Sequence, residues 1–221
     1  RFLASMDSNN FEHNIGVGER EGRVACPLVQ RRVYAFSHGI GRSGNIAEIQ
    51  PKAAGSALLY DLAGRLSRHA MQVAGLHRNT INDCLVLPVA TGMAMLMVFL
   101  ALRKRKPIAD VVLWMRVDQK SCLKAVTAAG LEPIVVDGQL DGDSVCTNLT
   151  RLEILLEQYG PDRVSCVLSC SSCFAPRCPD NLVGIGELCQ KYGVHHVVNN
   201  AYGLQSSKAV HLLNESARTA R

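Results

Sequence analysis

The chain has 221 residues, of which 48% are hydrophobic and 19% are charged, with a net charge of +5 and a mean hydropathy of +0.07. These values are typical of a globular protein and exclude a fibrous or intrinsically disordered chain. The longest apolar run, Met93 to Leu102, is about half of a membrane span, so we expect no transmembrane helix and no membrane partner.

The sequence pattern changes near residue 52, which predicts a boundary there. Residues 1–51 are polar and rich in glycine turns, which predicts an irregular N-terminal segment with short helices. Apolar residues then recur with a helical period over 56–74. We therefore treat 1–51 as a separate segment and 52–221 as one domain.

Beyond residue 83 short apolar runs alternate with helical patterns. Strands are predicted at 84–89, 110–115, 132–137, 164–170 and 194–200, and helices at 92–105, 120–130, 147–160 and 181–193. Five apolar strands separated by helices predict an α/β fold with a mainly parallel sheet covered by helices on both faces.

In such sheets ligands bind beyond the carboxyl ends of the strands. This rule selects the segments 90–93, 117–121, 171–177 and 199–203. The small-residue turn ATGM (90–93) opens a helix, where free backbone N–H groups favour a phosphate, although such turns are also simple tight connections. Asn199 and Asn200 either line this site or only satisfy loop backbone.

A second candidate anion site is the stretch GIGRSGNIAEIQPK (39–52). Its glycines permit close backbone approach, and Arg42, Ser43, Gln50 and Lys52 offer donors for an anion. The phosphate-loop pattern GxxxxGK[ST] is absent, so we do not expect a nucleotide. The alternative is a plain loop in which Arg42 pairs with an acidic residue.

Nine cysteines in a core-rich chain predict free thiols, a reducing compartment and a cytoplasmic location. Cys166, Cys170, Cys173 and Cys178 are clustered in sequence, but their spacing fits no common zinc pattern. We therefore expect structural thiols and no metal, with a metal site as the alternative.

Several segments together resemble one enzyme family. They are MDSNNF (6–11), GVGEREGRV (16–24), HGIGRSG (38–44), IQPKAAGS (49–56), PVATGM (88–93), DQKSC (118–122), SCFAPR (172–177) and VNNAYGLQSSK (198–208). In this order, and over nearly the whole chain, they resemble the O-phosphoseryl-tRNA(Sec) selenium transferases.

The resemblance implies a pyridoxal-phosphate enzyme with the large domain of the aspartate-aminotransferase-like fold, here incomplete, and a homotetramer. Its reaction converts O-phosphoseryl-tRNA(Sec) to selenocysteinyl-tRNA(Sec), with selenophosphate as the selenium donor. Arg42, Ser43 and Gln50, in the loop 41–51, match the residues that hold the substrate phosphate. Glu19 matches a carboxylate that repels free amino acids.

The resemblance also implies cofactor contacts. The matching residues are Arg20, Ala90, Thr91, Gly92, Gln119 and Asn199. Asn199 stands where most enzymes of this fold have an aspartate against the pyridine nitrogen. A neutral amide can hydrogen-bond to that nitrogen but cannot hold its proton by charge.

The family's Schiff-base lysine is expected beyond residue 221, since none of the seven lysines lies in a Ser-Leu-Asp-Lys-like segment. We therefore expect a piece of a longer chain, with no catalytic residue of its own and no activity by itself. Two alternatives stay open. One is another pyridoxal-phosphate lyase or sulfur transferase of the same fold. The other is a truncated, inactive paralogue that binds tRNA or partner subunits.

Overall fold

The structure is a computed structural model that describes residues 1–11, 13, 26–36, 48–116, 119–172 and 176–219. Contacts divide the chain into two compact units, one comprising 1–70 with 83–86 and the other 71–82 with 87–221. The boundary that the sequence suggests near residue 51 stays a prediction. No helix within the described ranges combines the length and the apolar character needed to cross a bilayer.

The first unit contains short helical elements and one long helix. Two 3-10 turns, Ala4–Met6 and Ser8–Asn10, precede the short helix α1 (Pro27–Arg32). Helix α2 (Ala54–Val73) agrees with the helix predicted over 56–74. Because Pro27 is the first residue of α1, its missing N–H leaves no helical hydrogen bond unmade.

The segments 1–11 and 50–56 hold each other at the start of α2. The buried carboxylate of Asp7 accepts hydrogen bonds from the Ser56 N–H, at 2.9 Å, and from the Ser56 hydroxyl. Ser8 N–H donates to the Lys52 carbonyl at 2.7 Å. A carboxylate at a helix N-terminus satisfies an otherwise unpaired donor and is favoured by the helix dipole, so Asp7 fixes where α2 begins.

The second unit is an α/β sheet. Its strands are β1 (Val111–Met115), β2 (Glu132–Val136), β3 (Gln139–Asp141), β4 (Ser144–Cys146), β5 (Val164–Cys170) and β6 (His195–Asn199). Its helices are α3 (Thr91–Arg105), α4 (Lys120–Ala128), α5 (Leu149–Arg163), α6 (Leu182–Tyr192) and α7 (Ser207–Thr219), with a 3-10 turn at Gly203–Gln205. The main sheet has the order β2-β1-β5-β6, and all its pairs are parallel.

Alternation along β1 distributes its side chains between two hydrophobic clusters. Val112 and Trp114 pack with α3 and α4 on one face, around the fully buried Phe99. Val111, Leu113 and Met115 pack with α5 and α6 on the other. The predicted parallel sheet with helices on both faces is confirmed, as are four of its five strands.

The predicted strand at 84–89 is wrong. These residues pair with no strand among those described, and the segment crosses from one compact unit to the other. The Val86 carbonyl accepts a hydrogen bond from the Tyr60 hydroxyl at 2.6 Å, and Pro88 has no N–H to donate. An apolar run whose backbone groups are used this way cannot join a ladder.

The β3–β4 hairpin and helix α7 went unpredicted. The antiparallel hairpin turns through the Gly-Asp pair at 142–143, where a φ of +57° at Gly142 suits glycine, and this pair is the local signal that marks it. Helix α7 is anchored by the buried Asn214 side chain, which accepts from His77 N–H at 2.9 Å and donates to the Gly75 carbonyl at 3.0 Å.

Gly55 is expected to tolerate no side chain. A Cβ at this position would lie 1.6 Å from the Leu3 carbonyl oxygen. We therefore expect Gly55→Ala to separate residues 1–11 from α2, to cost about 1–3 kcal/mol of stability, and to accelerate amide hydrogen exchange in both segments.

The matched control is Gly142→Ala, where no atom lies within 4 Å of the added Cβ. It should alter exchange only in the β3–β4 hairpin. Unchanged exchange over 1–11 in Gly55→Ala would contradict the contact.

Candidate functional site

The carboxyl ends of β1, β5 and β6 lie along one edge of the sheet, and polar residues follow each of them. Gln119 comes shortly after β1, Ser171 directly after β5, and Asn199 is the last residue of β6. Parallel pairing therefore brings these residues, far apart in sequence, to a common edge.

A buried amide network occupies this edge. The Asn199 side chain, in a residue only 9% exposed, donates from Nδ2 to Gln119 Oε1 at 2.9 Å and to Cys122 Sγ at 3.8 Å. Cys122 Sγ in turn donates to Gln119 Oε1 at 3.4 Å. Burial raises the pKa of the Cys122 thiol, an effect that the Asn199 hydrogen bond partly opposes. The three side chains thus form a neutral polar cluster.

Two helix N-termini meet beside this cluster. Ala90, the residue before α3, is extended and supplies no side-chain cap, and neither does Gln119 before α4. A Cβ built on Gly92 would lie 3.3 Å from Ser121 Cβ, so a small residue at 92 allows the two helix starts to approach closely. Uncapped helix N-termini offer backbone N–H groups and positive potential, which favour an anion.

The loops after β5 and β6 are also joined. Ser171 N–H donates to the Asn199 carbonyl at 3.1 Å, and the Ser171 hydroxyl bonds the Asn200 side-chain oxygen. A Cβ on Gly203 would displace that oxygen, so glycine at 203 leaves room for the bond between Ser171 and Asn200. The Ser172 hydroxyl oxygen is inaccessible to solvent and has no partner among the described residues.

The predicted residues are therefore only partly brought together. Ala90, Thr91 and Gly92 lie at the start of α3, next to α4, and Gln119 is bonded to Asn199. Glu19, Arg20, Arg42 and Ser43 lie outside the described residues. Gln50 belongs to the first unit, where it is half-buried and its carbonyl accepts from Ala53 N–H at 2.9 Å. All the assigned roles stay predictions.

The structure does not assemble a metal cluster from the part of the chain that it describes, where no three His, Cys, Asp or Glu side chains group together. Cys173 lies outside that part. Of the two neighbouring histidines on β6, His195 is exposed, whereas His196 is half-buried with its Nε2 atom 2.7 Å from Ser169 Oγ.

Comparison with known proteins identifies the family. Residues 6–221 match the family model described as "O-phosphoseryl-tRNA(Sec) selenium transferase, SepSecS". The chain belongs to this family. It is 50% identical over 220 residues to the O-phosphoseryl-tRNA(Sec) selenium transferase of Dictyostelium discoideum, covering 99% of this chain and 46% of that protein. For the Caenorhabditis elegans relative the identity is 46% over 211 residues, covering 95% and 43%. The chain thus spans about half the length of the curated relatives it matches.

Solved structures agree with the family. The crystal structure of an archaeal O-phosphoseryl-tRNA(Sec) selenium transferase superposes with a TM-score of 0.88 at 31% identity, over 97% of this chain and 49% of that one. A Catharanthus roseus tryptophan decarboxylase has a TM-score of 0.62 at 15% identity, over 74% of this chain and 38% of that one, a likeness of fold alone. The selenium transferase fold predicted from the sequence is confirmed, and it is incomplete in this chain.

Three residues at the edge of the sheet were not named individually as site residues, although Ser121 and Ser171 lie in segments that the sequence selected. Ser121 lies close to Gly92 at the start of α3, Cys122 bonds Asn199, and Ser171 joins two loops. Two of them lie in the DQKSC motif that already carries the family resemblance, so the motif contained the signal. Their side-chain contacts depend on tertiary packing.

His196 should make stability fall in mild acid. Burial lowers its pKa to about 4, whereas the pKa of a histidine in the unfolded chain is about 6.5. Between these values the unfolded state binds more protons, so stability is lost as the pH falls from about 7 to 4. We expect a loss of about 2–3 kcal/mol from this group, measured by urea unfolding with Trp114 fluorescence.

His196→Gln should remove this part of the pH dependence. The control is His195→Gln, which changes an exposed histidine on the same strand and should leave the dependence unaltered. Parallel pH profiles for wild type and His196→Gln would contradict the assignment.

Proposed function

We propose that this chain forms the cofactor-binding half of an enzyme that converts O-phosphoseryl-tRNA(Sec) to selenocysteinyl-tRNA(Sec) with selenophosphate. The observation that carries the proposal is the family match over residues 6–221. The cofactor is pyridoxal phosphate, and the enzyme acts as a homotetramer in the cytoplasm. Its macromolecular substrate is tRNA(Sec) that carries phosphoserine.

The described residues fit a pyridoxal-phosphate group. The start of α3 has no side-chain cap, so its backbone N–H groups and the helix dipole suit the phosphate. Ser121 lies close to Gly92 at this helix start. Ala90, Thr91 and Gly92 would hold it through backbone N–H groups and the Thr91 hydroxyl. Asn199 would hold the pyridine nitrogen, and Gln119 would lie beside the ring. Arg20 is assigned to the same group from the resemblance.

Pyridoxal phosphate, when bound, withdraws electrons from the substrate's α-carbon and so stabilises negative charge there. The chain's own contribution is orientation and charge. Gln119 and Cys122 fix the Asn199 amide, so that this group meets the ring in one orientation. Because Asn199 is neutral, it leaves the nitrogen's proton less tightly held than an aspartate would. We infer a milder electron sink, sufficient for loss of a good leaving group such as phosphate.

Arg42, Ser43 and Gln50 would grip the phosphate of the phosphoseryl group. Each charge-assisted hydrogen bond contributes on the order of 1.5–3 kcal/mol. Since phosphate is also the leaving group, the same donors stabilise the charge that it carries away. Glu19 would repel the α-carboxylate of free amino acids and admit the ester-linked form on tRNA.

The phosphate grip predicts substrate preference. In the full-length enzyme, the Arg42→Ala/Ser43→Ala variant should lose roughly 10²–10⁴-fold in its preference for phosphoseryl-tRNA(Sec) over seryl-tRNA(Sec). The preference is measured as the ratio of kcat/KM values for the two tRNAs.

Arg65→Ala is the control, because Arg65 is exposed and, among the described residues, forms its ion pair with Asp61 on the same helix. It should leave the preference unchanged. If the double variant kept the wild-type ratio of kcat/KM values, the role assigned to Arg42 and Ser43 would be wrong. If the wild type used both tRNAs equally well, the proposed function would be wrong.

The Asn199 contact predicts a spectral change. Asn199→Asp would place a carboxylate beside the Gln119 side-chain oxygen Oε1. In the proposed complex this carboxylate would face the ring nitrogen, so it should hold the proton of that nitrogen more firmly. We expect a shifted visible band for added pyridoxal phosphate and a changed dissociation constant, both measured by titration of the full-length enzyme.

Asn148→Asp is the matched control, because Asn148 caps α5 through its side-chain oxygen and aspartate caps equally well. Its spectrum and affinity should equal those of the wild type. If Asn199→Asp also matched the wild type, the assigned contact would be wrong.

A further inference from the structure

Two cysteines face each other where the β3–β4 hairpin meets the segment 176–180. Val145 N–H donates to the Pro176 carbonyl at 3.1 Å, and Cys178 N–H donates to the Val145 carbonyl at 2.9 Å. These two bonds form a parallel bridge between Val145 and Arg177. Cys146 and Cys178 are the next residue on each side of that bridge.

This position brings the two thiols together. Residues that follow a parallel bridge lie opposite each other, with the two backbones about 5 Å apart. Residues opposite each other in a parallel pair project to the same face, and the Cys178 thiol adds to the rise in the Cys146 pKa that burial causes. A backbone separation of that size falls inside the Cα–Cα range of roughly 4.4–6.8 Å that disulfides require.

The backbone on both sides of the pair is held in place. Arg177 donates to the Arg116 carbonyl at 2.6 Å and to the Asp180 carboxylate at 2.8 Å. Asp180, which is buried, also accepts from the Thr147 hydroxyl at 2.9 Å and from Cys170 N–H at 2.8 Å. The residues adjacent to both cysteines, Arg177 and Thr147, are therefore held by polar contacts to the buried Asp180 carboxylate.

The pair differs from the buried cysteines in access to solvent. Cys146 and Cys178 are partly exposed and within reach of a small oxidant. By contrast, the thiols with little access to solvent are Cys122, Cys166, Cys170 and Cys189. Burial raises the pKa of Cys189 to about 12, which keeps that thiol protonated and inert.

We propose that Cys146 and Cys178 are a redox modification site that forms a reversible disulfide, with a low-molecular-weight disulfide such as oxidised glutathione as the oxidant. One cysteine thiolate attacks the oxidant, forming a mixed disulfide and releasing one glutathione thiolate. The second cysteine attacks the protein sulfur of that mixed disulfide, forming the Cys146–Cys178 bond and releasing the second thiolate. The two protons lost by the protein thiols pass to the two glutathiones, and the oxidant gains two electrons.

The closing step is intramolecular. The bridge between Val145 and Arg177 holds the second cysteine next to the mixed disulfide, so proximity replaces a high thiolate concentration in that step. The bond closes a loop of about 30 residues and ties the hairpin to segment 176–180, which restricts the unfolded chain.

The test uses the full-length protein in glutathione buffers of graded redox potential. Non-reducing proteolysis and mass spectrometry should find one peptide that joins Cys146 to Cys178, formed without denaturant and lost on reduction. The oxidised protein should unfold about 5–10 °C higher than the reduced protein.

Cys146→Ser and Cys178→Ser should each abolish the rise in unfolding temperature, whereas Cys26→Ser, which removes an exposed cysteine, should retain it. The wild-type peptide measurement decides the matter even if a serine variant fails to fold. Glutathione adducts without a joined peptide, a different pairing, or a bond that forms only in denaturant would each overturn the proposal.

Discussion

The parallel pairing of β1 with β5 is the constraint on which the rest of the second unit depends. It runs from Val111 to Trp114 in β1, and it places the carboxyl end of each strand at the same edge of the sheet. β6 pairs with β5 in the same sense. Because the strands are buried on both faces, a register slip would move apolar side chains out of both clusters, so the site edge is fixed by the same contacts that stabilise the core.

Polar contacts at that edge are buried, which makes them specific. Asp180 accepts hydrogen bonds from Arg177, Thr147 and the Cys170 N–H. Burial raises the pKa of its carboxyl group, while these partners oppose the rise. Removing Arg177 would leave the buried carboxylate without its cationic partner, which costs more than the pair itself contributes. The network therefore fixes the segment that follows β5 in one arrangement.

Small residues allow close packing at the start of α3. Gly92 and Ser121 are small enough for two helix N-termini to approach, and neither helix has a side-chain cap. A side-chain cap at either start would occupy backbone N–H groups of the kind that suit an anion. In the first unit, by contrast, the Asp7 carboxylate caps α2, so the start of that helix is occupied by the protein's own side chain.

Local patterns in the sequence determined the helices and strands between residues 91 and 199 apart from the β3–β4 hairpin, because hydrophobic period and helix-end signals are properties of neighbouring residues. Motifs spread over the chain determined its family. Only the tertiary structure decided that 84–89 is not a strand, that Asn199 bonds Gln119 and that Val145 pairs with Arg177, which places Cys146 opposite Cys178. Each of these outcomes depends on a partner distant in sequence, and a local pattern specifies the face that a residue occupies but not the residue that it meets there.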